Sequence, residues 1–346
     1  MTPDSMTLDQ ALELHKSGQL PAAEQAYRQH LEATPEDADA LHLLGVLCQQ
    51  RGDHTQADEL IRRAIALSPE NAQYHLSLGG VLMHAGDESA ARASFEKALL
   101  FDPNSVQAHG VLGHLALIDG DAATAENRFR IGRRADDEDP LLLLGLGNVY
   151  LARNEPANAA KFLSRAAERR PDDAAIQMSL GYALFEQGAL AFAEKAFENA
   201  LRLRPDGSLA KLYLARSKLR QDKTEQAHAM FAELAESGEQ RYGGCLGLGD
   251  VANKQGHFAR AVKFYRRART LDPAHPAAAL AAASCLERFG DVAGAVEFLS
   301  AALLHAPDAN ELRPPLARLL EQLGRADEVA QIRSLNHDAE SGKGSV

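Results

Sequence analysis

The sequence predicts an all-α solenoid of nine to ten helix-turn-helix units, and three observations support this fold class. Proline recurs at intervals of 34 residues or multiples of 34: Pro35, Pro69, Pro103, Pro171, Pro205, Pro273 and Pro307. A small residue recurs with the same period: Ala11, Gly45, Gly79, Gly113, Gly147, Gly181, Ala215, Gly249, Ala283 and Ala317. An alanine follows twelve residues after each of the first nine small residues. Such a period is typical of stacked helical repeats that share a continuous core.

The unit at residues 38–71 shows how each repeat is expected to fold. Its first segment places apolar and small residues at spacings of three and four, which predicts one face of a helix. Gly52 ends this helix, because glycine accepts the left-handed conformation of a helix C-terminus. Asp53 begins the second helix as its N-cap. Pro69 ends that helix, since proline lacks an N–H and restricts the residue before it.

The recurring small residues predict how the two helices of a unit pack. We expect Gly45 at the closest approach of its two helices, with Ala57 facing it. A larger side chain there would push the helices apart. Gly113→Leu and Ala193→Leu are therefore expected to destabilise the fold by overpacking.

The repeat resembles that of tetratricopeptide repeat (TPR) proteins. That family has large apolar residues at positions 4, 7, 11 and 24, small residues at positions 8, 20 and 27, and proline at position 32. The frame 72–105 carries seven of these eight: Leu78, Gly79, Leu82, Ala91, Phe95, Ala98 and Pro103. His75 is the departure, at position 4. The resemblance implies a right-handed superhelix. It extends to the TPR arms associated with bacterial glycosyltransferases and sulfotransferases, without a catalytic domain.

The resemblance covers residues 4–335 and sets the expected boundaries. The units are 4–37, 38–71, 72–105, 106–139, 140–173, 174–207, 208–241, 242–275 and 276–309, followed by a capping pair at 310–335 and a flexible tail at 336–346. At the start, Thr7 and Gln10 predict a capping box after a disordered residue 1–6 segment. At the end, Pro314 and Pro315 predict the start of the last unit's first helix.

Two internal departures from the repeat need their own explanation. Between the fourth and fifth units, we expect Asp139 to cap a helix that begins at Pro140; the acidic turn before it is also open to interpretation as a docking strip. In the seventh unit, Lys211 and Lys218 occupy positions where the family has apolar residues. We expect their stems to cover apolar surface with the ammonium groups in water. The unit is then either a flexible joint or one shaped for a ligand.

Composition and charge exclude several classes of protein. The net charge of −11 argues against a non-specific nucleic-acid binder. No apolar stretch approaches the length of a transmembrane helix, so we expect no membrane insertion. Cys48, Cys245 and Cys285 lie in different repeats, which favours small buried residues in a reducing compartment. With no signal peptide pattern, we expect a cytoplasmic protein.

The resemblance also implies where a partner would bind. In TPR proteins the first helices line the concave face, and positions 2, 5, 9, 12 and 13, with 6 beside them, reach the partner. In the sixth to eighth units these positions hold the predicted binding residues: Met178, Tyr182, Phe185, Tyr213, Arg216, Arg220 and Asn253. Aromatic and arginine side chains are enriched in binding hot spots. Alternatively, the two tyrosines only pack between repeats and the arginines are solvated.

The charge of this region predicts the character of the partner. Residues 174–275 hold 15 basic and 11 acidic side chains within an acidic protein. Arginine can hold a carboxylate with two parallel hydrogen bonds. We therefore expect a partner peptide or helix of acidic character.

No cofactor or metal is expected. Five histidines gather in the second to fourth units (His42, His75, His84, His109 and His114), but none are spaced as metal ligands within one helix. Gly145-Leu-Gly147 resembles part of a dinucleotide motif, yet its second glycine is the repeat's packing residue in mid-helix.

The sequence therefore predicts a non-enzymatic protein-interaction scaffold that binds a partner peptide or helix in its concave groove. An alternative is a regulatory or substrate-presenting subunit of a separately encoded cell-envelope enzyme, glycosyltransferase or sulfotransferase. Self-association through the terminal repeats is a third expectation.

Overall fold

The computed structural model describes residues 7–236 and 238–341, with side chains described as far as Arg333. Helices and the turns between them make up this part of the chain. These residues form 20 α-helices and one 3₁₀ helix and contain no strand. The chain divides into two compact units, residues 1–170 and residues 171–346, which are described in turn.

The first unit consists of five helix pairs. They are α1 (Leu8–Lys16), α2 (Leu20–Ala33), α3 (Ala38–Gln50), α4 (His54–Leu67), α5 (Ala72–His84), α6 (Glu88–Phe101), α7 (Val106–Ile118), α8 (Ala122–Gly132), α9 (Pro140–Ala152) and α10 (Pro156–Arg169). Each helix packs against the next one along the chain. Neighbouring first helices, such as α7 and α9, also contact each other.

The second unit has the same arrangement. It contains α11 (Ala174–Gln187), α12 (Leu190–Leu203), α13 (Ser208–Arg220), α14 (Thr224–Glu236), α15 (Arg241–Lys254), α16 (Phe258–Leu271), α17 (Ala277–Phe289), α18 (Val292–His305), the 3₁₀ helix η1 (Asn310–Leu312), α19 (Arg313–Gln322) and α20 (Ala326–Ser341). The odd-numbered helices α11, α13, α15 and α17 contact one another in sequence. They form one continuous face of first helices within this unit.

The last helix is longer than the sequence boundary suggested. Helix α20 continues to Ser341, six residues beyond the expected end of the capping pair at residue 335. The sequence contains no glycine or proline from Ala326 until Gly342, so nothing in it interrupts the helix earlier. The segments 1–6 and 342–346 lie outside the described residues.

Side-chain caps set where the helices begin. In the described part of the chain, ten helices start after a residue whose side chain accepts a hydrogen bond from the helix backbone: Thr7, Asp37, Asp53, Asn71, Asp87, Ser105, Asp121, Asp139, Asp173 and Asp291. The predicted capping box of Thr7 with Gln10 is confirmed. The predicted cap at Asp139, with Pro140 as the first helical residue, is confirmed as well. These bonds satisfy N–H groups that have no partner inside the helix.

A left-handed residue closes the turn inside every helix pair. Eight of the ten turns use glycine, as at Gly52 with φ +83°. The other two use Asn154 (φ 59°) and Asp222 (φ 63°). Asparagine and aspartate adopt this conformation more readily than other non-glycine residues. The turn in the seventh repeat therefore keeps its geometry without its glycine.

The recurring glycines make room for one large side chain from the second helix. A Cβ atom on Gly45 would lie 2.7 Å from Ile61 Cγ1 and 3.3 Å from the carbonyl oxygen of Ala57. On Gly113 it would lie 2.7 Å from the Phe129 ring. The predicted register of helix packing is therefore confirmed. Phe129 makes a second contact of this kind with Gly145 of the next repeat, where a Cβ atom would lie closer still to the ring.

The cysteines and the last unit agree with the sequence-based expectations. Cys48, Cys245 and Cys285 form no disulfide and are buried, and burial raises the pKa of each thiol. Helix α19 starts at Arg313, with prolines in its first turn. The handedness of the superhelix stays a prediction.

Candidate functional site

Helices α11, α12 and α13 of the sixth and seventh repeats bring four aromatic rings together. Tyr213 of α13 packs edge-on against Tyr182 and Phe185 of α11, with ring centroids 5.1 and 5.7 Å apart. Its ring also stacks on Phe197 of α12, at 5.9 Å. Met178 packs against the same cluster. Burial raises the pKa of Tyr182, so its hydroxyl is neutral at physiological pH.

Two arginines lie on these rings. The guanidinium carbon of Arg216 is 5.3 Å from the centroid of Tyr213, and that of Arg220 is 4.8 Å from the centroid of Phe185. Arg220 Nη1 also donates to the carbonyl oxygen of Phe185 at 3.2 Å. A cation over an aromatic face is attracted by the ring's negative face and loses orientational freedom. The two guanidinium groups are therefore held in place.

The basic side chains of α13 divide into two kinds. Lys211 and Lys218 are each paired with a glutamate of a neighbouring helix. Arg216 and Arg220 have no carboxylate within ion-pair distance among the side chains that the structure describes, those of residues 7–236 and 238–333. The two arginine charges therefore have no acidic partner among the described side chains.

Lys218 does not behave as its sequence position suggested. It is buried, and its ammonium group donates to Glu194 Oε1 at 2.5 Å. Glu194 also accepts from Lys223 at 2.7 Å and from Gln221 at 2.8 Å. The expectation that its ammonium group lies in water is therefore wrong, because a carboxylate on α12 meets it at the helix interface. Burial would raise the pKa of Glu194, but the hydrogen bonds outweigh it and lower the pKa to about 2.

Asp250 is an acidic side chain that interacts electrostatically with Arg216 of this site. It lies half-buried on α15 and accepts a hydrogen bond from the Tyr265 hydroxyl at 2.9 Å. Burial raises its pKa, while that hydrogen bond and the charge of Arg216 act in the opposite direction. Asp250 is thus tied to α16 and influences Arg216 only at a distance beyond an ion pair.

Asn253 lies further along the same face. Its side-chain oxygen accepts a hydrogen bond from Arg288 of the next first helix at 3.3 Å. The contact is one step of a ladder with a 35-residue spacing: Arg220 to Phe185, Lys254 to Leu219, Arg288 to Asn253 and Gln322 to Glu287. Six of the seven predicted residues therefore form one cluster, and Asn253 stands apart with Arg288.

A cavity in the first unit was missed by the sequence analysis. It measures about 370 Å³, lies between α7 and α9, and has Phe129 of α8 among its lining residues. The available signal was Gly110, a glycine in the middle of α7 that the repeat pattern does not require.

Other kinds of site find no support in the described residues. No three His, Cys, Asp or Glu side chains there are placed to share a metal ion. His75 and His109 each bind a proline carbonyl instead of facing each other. The acidic turn before α9 is partly neutralised within the unit, because Glu138 pairs with Arg165 and Arg169. No helix among these residues has the length and apolar character to cross a membrane.

Solved structures with the same arrangement are known. A structure described as the functional characterization of Pseudomonas aeruginosa PilF has a TM-score of 0.55 at 19% identity, over 63% of this chain and 97% of its own. PilW, described as a widely conserved type IV pilus biogenesis factor, gives 0.51 at 18% identity, over 57% of this chain and 92% of its own. A tetratricopeptide repeat protein from Parabacteroides merdae gives 0.50 at 15% identity, over 72% and 98%. At these identities the likeness concerns the fold.

Family models match most of the sequence, whereas a search of curated proteins returns no match. The model described as the cilia and flagella-associated protein 70 C-terminal domain matches residues 5–211. Two models described as tetratricopeptide repeat match residues 212–276 and 252–323. The matched residues form the repeated helix pair with its packing glycines. The chain therefore belongs to the tetratricopeptide repeat family and, over residues 5–211, to the family described as the C-terminal domain of cilia and flagella-associated protein 70.

Proposed function

We propose that this chain is a non-enzymatic protein-interaction scaffold that holds an acidic peptide or helix of a partner on the first helices of repeats six to eight. Solenoids of this type offer extended surfaces to partners. One observation carries the choice of site. Arg216 and Arg220 lie on aromatic rings without a carboxylate partner in the described chain, while the lysines of the same helix are paired.

The geometry suits carboxylate recognition. A guanidinium group presents five N–H donors in a rigid fork that matches a carboxylate. The rings beneath Arg216 and Arg220 restrict both side chains before any partner arrives, which reduces the entropy lost on binding. Tyr182 and Tyr213 lie beside them and add apolar contact area, as hot-spot aromatics do.

The test is partner capture with charge-reversed arginines. Full-length wild type and Arg216→Glu/Arg220→Glu would be used to capture proteins from a native lysate, identified by mass spectrometry. Arg202→Glu/Arg204→Glu is the matched control, since it makes the same charge change on exposed residues of α12 and its C-cap. Circular dichroism would show that both variants fold.

We expect a partner that wild type and control retain and the Arg216/Arg220 variant loses. Its affinity, once it is purified, should fall as salt rises, because exposed charge pairs are screened. Adding Tyr182→Ala and Tyr213→Ala should weaken binding further. A partner held equally by all three proteins would place the site elsewhere and leave the rings as packing between repeats.

The same capture distinguishes the alternative roles. A glycosyltransferase, sulfotransferase or other envelope enzyme that copurifies and changes activity would favour a regulatory subunit. Self-association through the terminal repeats predicts a mass that rises with concentration in light scattering. A cytoplasmic location stays a prediction from the sequence, and fractionation with an antibody would test it.

A further inference from the structure

The cavity in the first unit has the character of a binding pocket for one large apolar side chain. Its volume of about 370 Å³ lies near the lower end of the range found for ligand sites. The cavity is lined by the buried ring of Phe129 and by aliphatic side chains, among them Val106, Val111 and Leu144. Leu141 stands at the rim and is half exposed. An apolar side chain that enters would exchange contact with water for contact with these apolar groups.

Gly110 keeps this space open without a packing reason. A Cβ atom there would meet only Leu142, at 3.5 Å, which is an ordinary contact. Every other glycine inside a described helix would place a Cβ atom within 3.4 Å of a neighbour, as Gly113 does at 2.7 Å from Phe129. Glycine in mid-helix is less stable than alanine. At Gly110 no close packing contact compensates for this lower helix stability. The space that the missing side chain leaves is part of the cavity.

Three polar side chains surround the cavity and make no hydrogen bond within the described residues: Gln107, His114 and Asn148. A few polar groups around an apolar pocket are the usual arrangement for fixing a ligand's orientation. Side-chain amides both donate and accept, so they suit the backbone of an extended or helical peptide. The rim is therefore equipped to hold a peptide chain over the pocket.

Charge decides the kind of peptide. Asp139 is the one residue with a formal charge among those that line the cavity. Its Oδ1 accepts hydrogen bonds from the N–H groups of Leu141 and Leu142, so the carboxylate is fixed at the start of α9. The surrounding unit is acidic too, with 25 Asp and Glu against 16 Lys and Arg in residues 1–170. A basic segment is complementary both to the rim and to the unit.

We propose that this cavity binds a peptide segment of a partner that inserts one phenylalanine- or leucine-sized side chain, with a lysine or arginine beside it that pairs with Asp139. The site lies in a different unit from Arg216 and Arg220 and favours the opposite charge. Its failure would leave the proposed site in repeats six to eight untouched.

The test uses defined peptide probes and the full-length chain. The first probe is a fluorescein-labelled 12-residue peptide with one central phenylalanine flanked by lysines. The second replaces that phenylalanine with alanine, and the third replaces the lysines with glutamates. Binding would be measured by fluorescence anisotropy to wild type, Gly110→Leu, Asp139→Asn and Ala123→Leu. Asp139→Asn removes the charge but keeps an N-cap, and Ala123→Leu adds a leucine on an exposed part of α8.

We expect the first probe to bind wild type and Ala123→Leu alike and Gly110→Leu at least about tenfold more weakly, since the anchor's burial is lost. Asp139→Asn should bind it several-fold more weakly, with a shallower salt dependence. The alanine probe should lose about as much as Gly110→Leu does. Failure of the first probe to bind wild type, equal binding to Gly110→Leu, or preference for the glutamate probe would overturn the proposal. Circular dichroism would confirm that each variant is folded.

Discussion

The Nε2–H of His109 donates a hydrogen bond to the carbonyl oxygen of Pro103, six residues earlier, at 3.0 Å. The same contact recurs in three other repeats: His75 to Pro69 at 2.8 Å, Gln177 to Pro171 at 3.2 Å and Arg313 to Pro307 at 2.8 Å. All four donors stand at position 4 of their repeats, where the family pattern has an apolar residue. A polar side chain at this position therefore satisfies the carbonyl of the turn that precedes its helix.

His109→Leu tests the worth of this bond. The substitution removes the donor at a buried site, and we expect the free energy of unfolding to fall by ~1 kcal/mol because the Pro103 carbonyl loses its partner. His109→Gln is the matched control, since Gln177 makes this bond in the sixth repeat. Urea denaturation followed by circular dichroism measures both. Equal midpoints for the two variants would show that the bond contributes nothing.

Overpacking tests the role of the recurring small residues. Gly113→Leu forces side-chain atoms into the Phe129 ring, and Ala193→Leu enlarges a fully buried residue. We expect each to lower the free energy of unfolding by ~1–3 kcal/mol. Gly110→Ala, on the same helix as Gly113, has room for its methyl group and should be neutral or stabilising. Thermal unfolding would check this order; a Gly113→Leu variant as stable as Gly110→Ala would refute the helix register.

Glu194→Gln tests the ion pair between α12 and α13. The substitution removes the closer of the two carboxylates that pair with the buried ammonium of Lys218 and leaves only the longer contact with Glu198. We expect a loss of ~1–3 kcal/mol at neutral pH. Because the folded pKa of Glu194 is lowered to about 2, its stabilising effect is present above the unfolded pKa of about 4.5 and is lost as pH falls through 2. The stability difference between wild type and Glu194→Gln should therefore shrink between about pH 5 and pH 2.

Urea unfolding at a series of pH values would measure that difference. Glu198→Gln is the control, since Glu198 is largely exposed and its contact with Lys218 is longer, at 3.5 Å. A difference between wild type and Glu194→Gln that stays constant down to pH 2 would contradict the assignment.

Asn154 tests the left-handed turn of the fifth repeat. At φ 59°, an alanine side chain would be strained, so Asn154→Ala should lower stability by ~1 kcal/mol. Asn154→Gly should be neutral or slightly stabilising, because glycine adopts this conformation without strain. The two melting temperatures, compared with that of wild type, give the result; an Asn154→Ala variant that melts with Asn154→Gly would show that the turn tolerates any residue.

The sequence alone could predict those features of the fold that depend on neighbours along the chain. The cap at Asp53, the turn at Gly52 and the approach at Gly45 follow from backbone conformations that few residue types allow. Repetition made these predictions strong, because the same requirement recurs in every unit. The choice of Tyr213, Arg216 and Arg220 as a binding cluster rested on the resemblance to TPR proteins, whose partner-contacting positions these residues occupy. The structure brings the three side chains together, and their role as a site stays a proposal.

What the tertiary structure decided depends on residues far apart in sequence. Lys218 is buried only because Glu194, 24 residues earlier, meets it across two helices. The arginines of α13 keep their charges unpaired because they meet rings instead of carboxylates: Arg216 lies over Tyr213 of its own helix and Arg220 over Phe185 of α11. The sequence shows Gly110 only as a glycine within a helix, whereas the structure shows the open space next to it. A 34-residue period thus determined the helix pairs, turns and caps, since these follow from local backbone requirements, whereas the pairing of charges and the open cavity were decided by which side chains meet when the repeats stack.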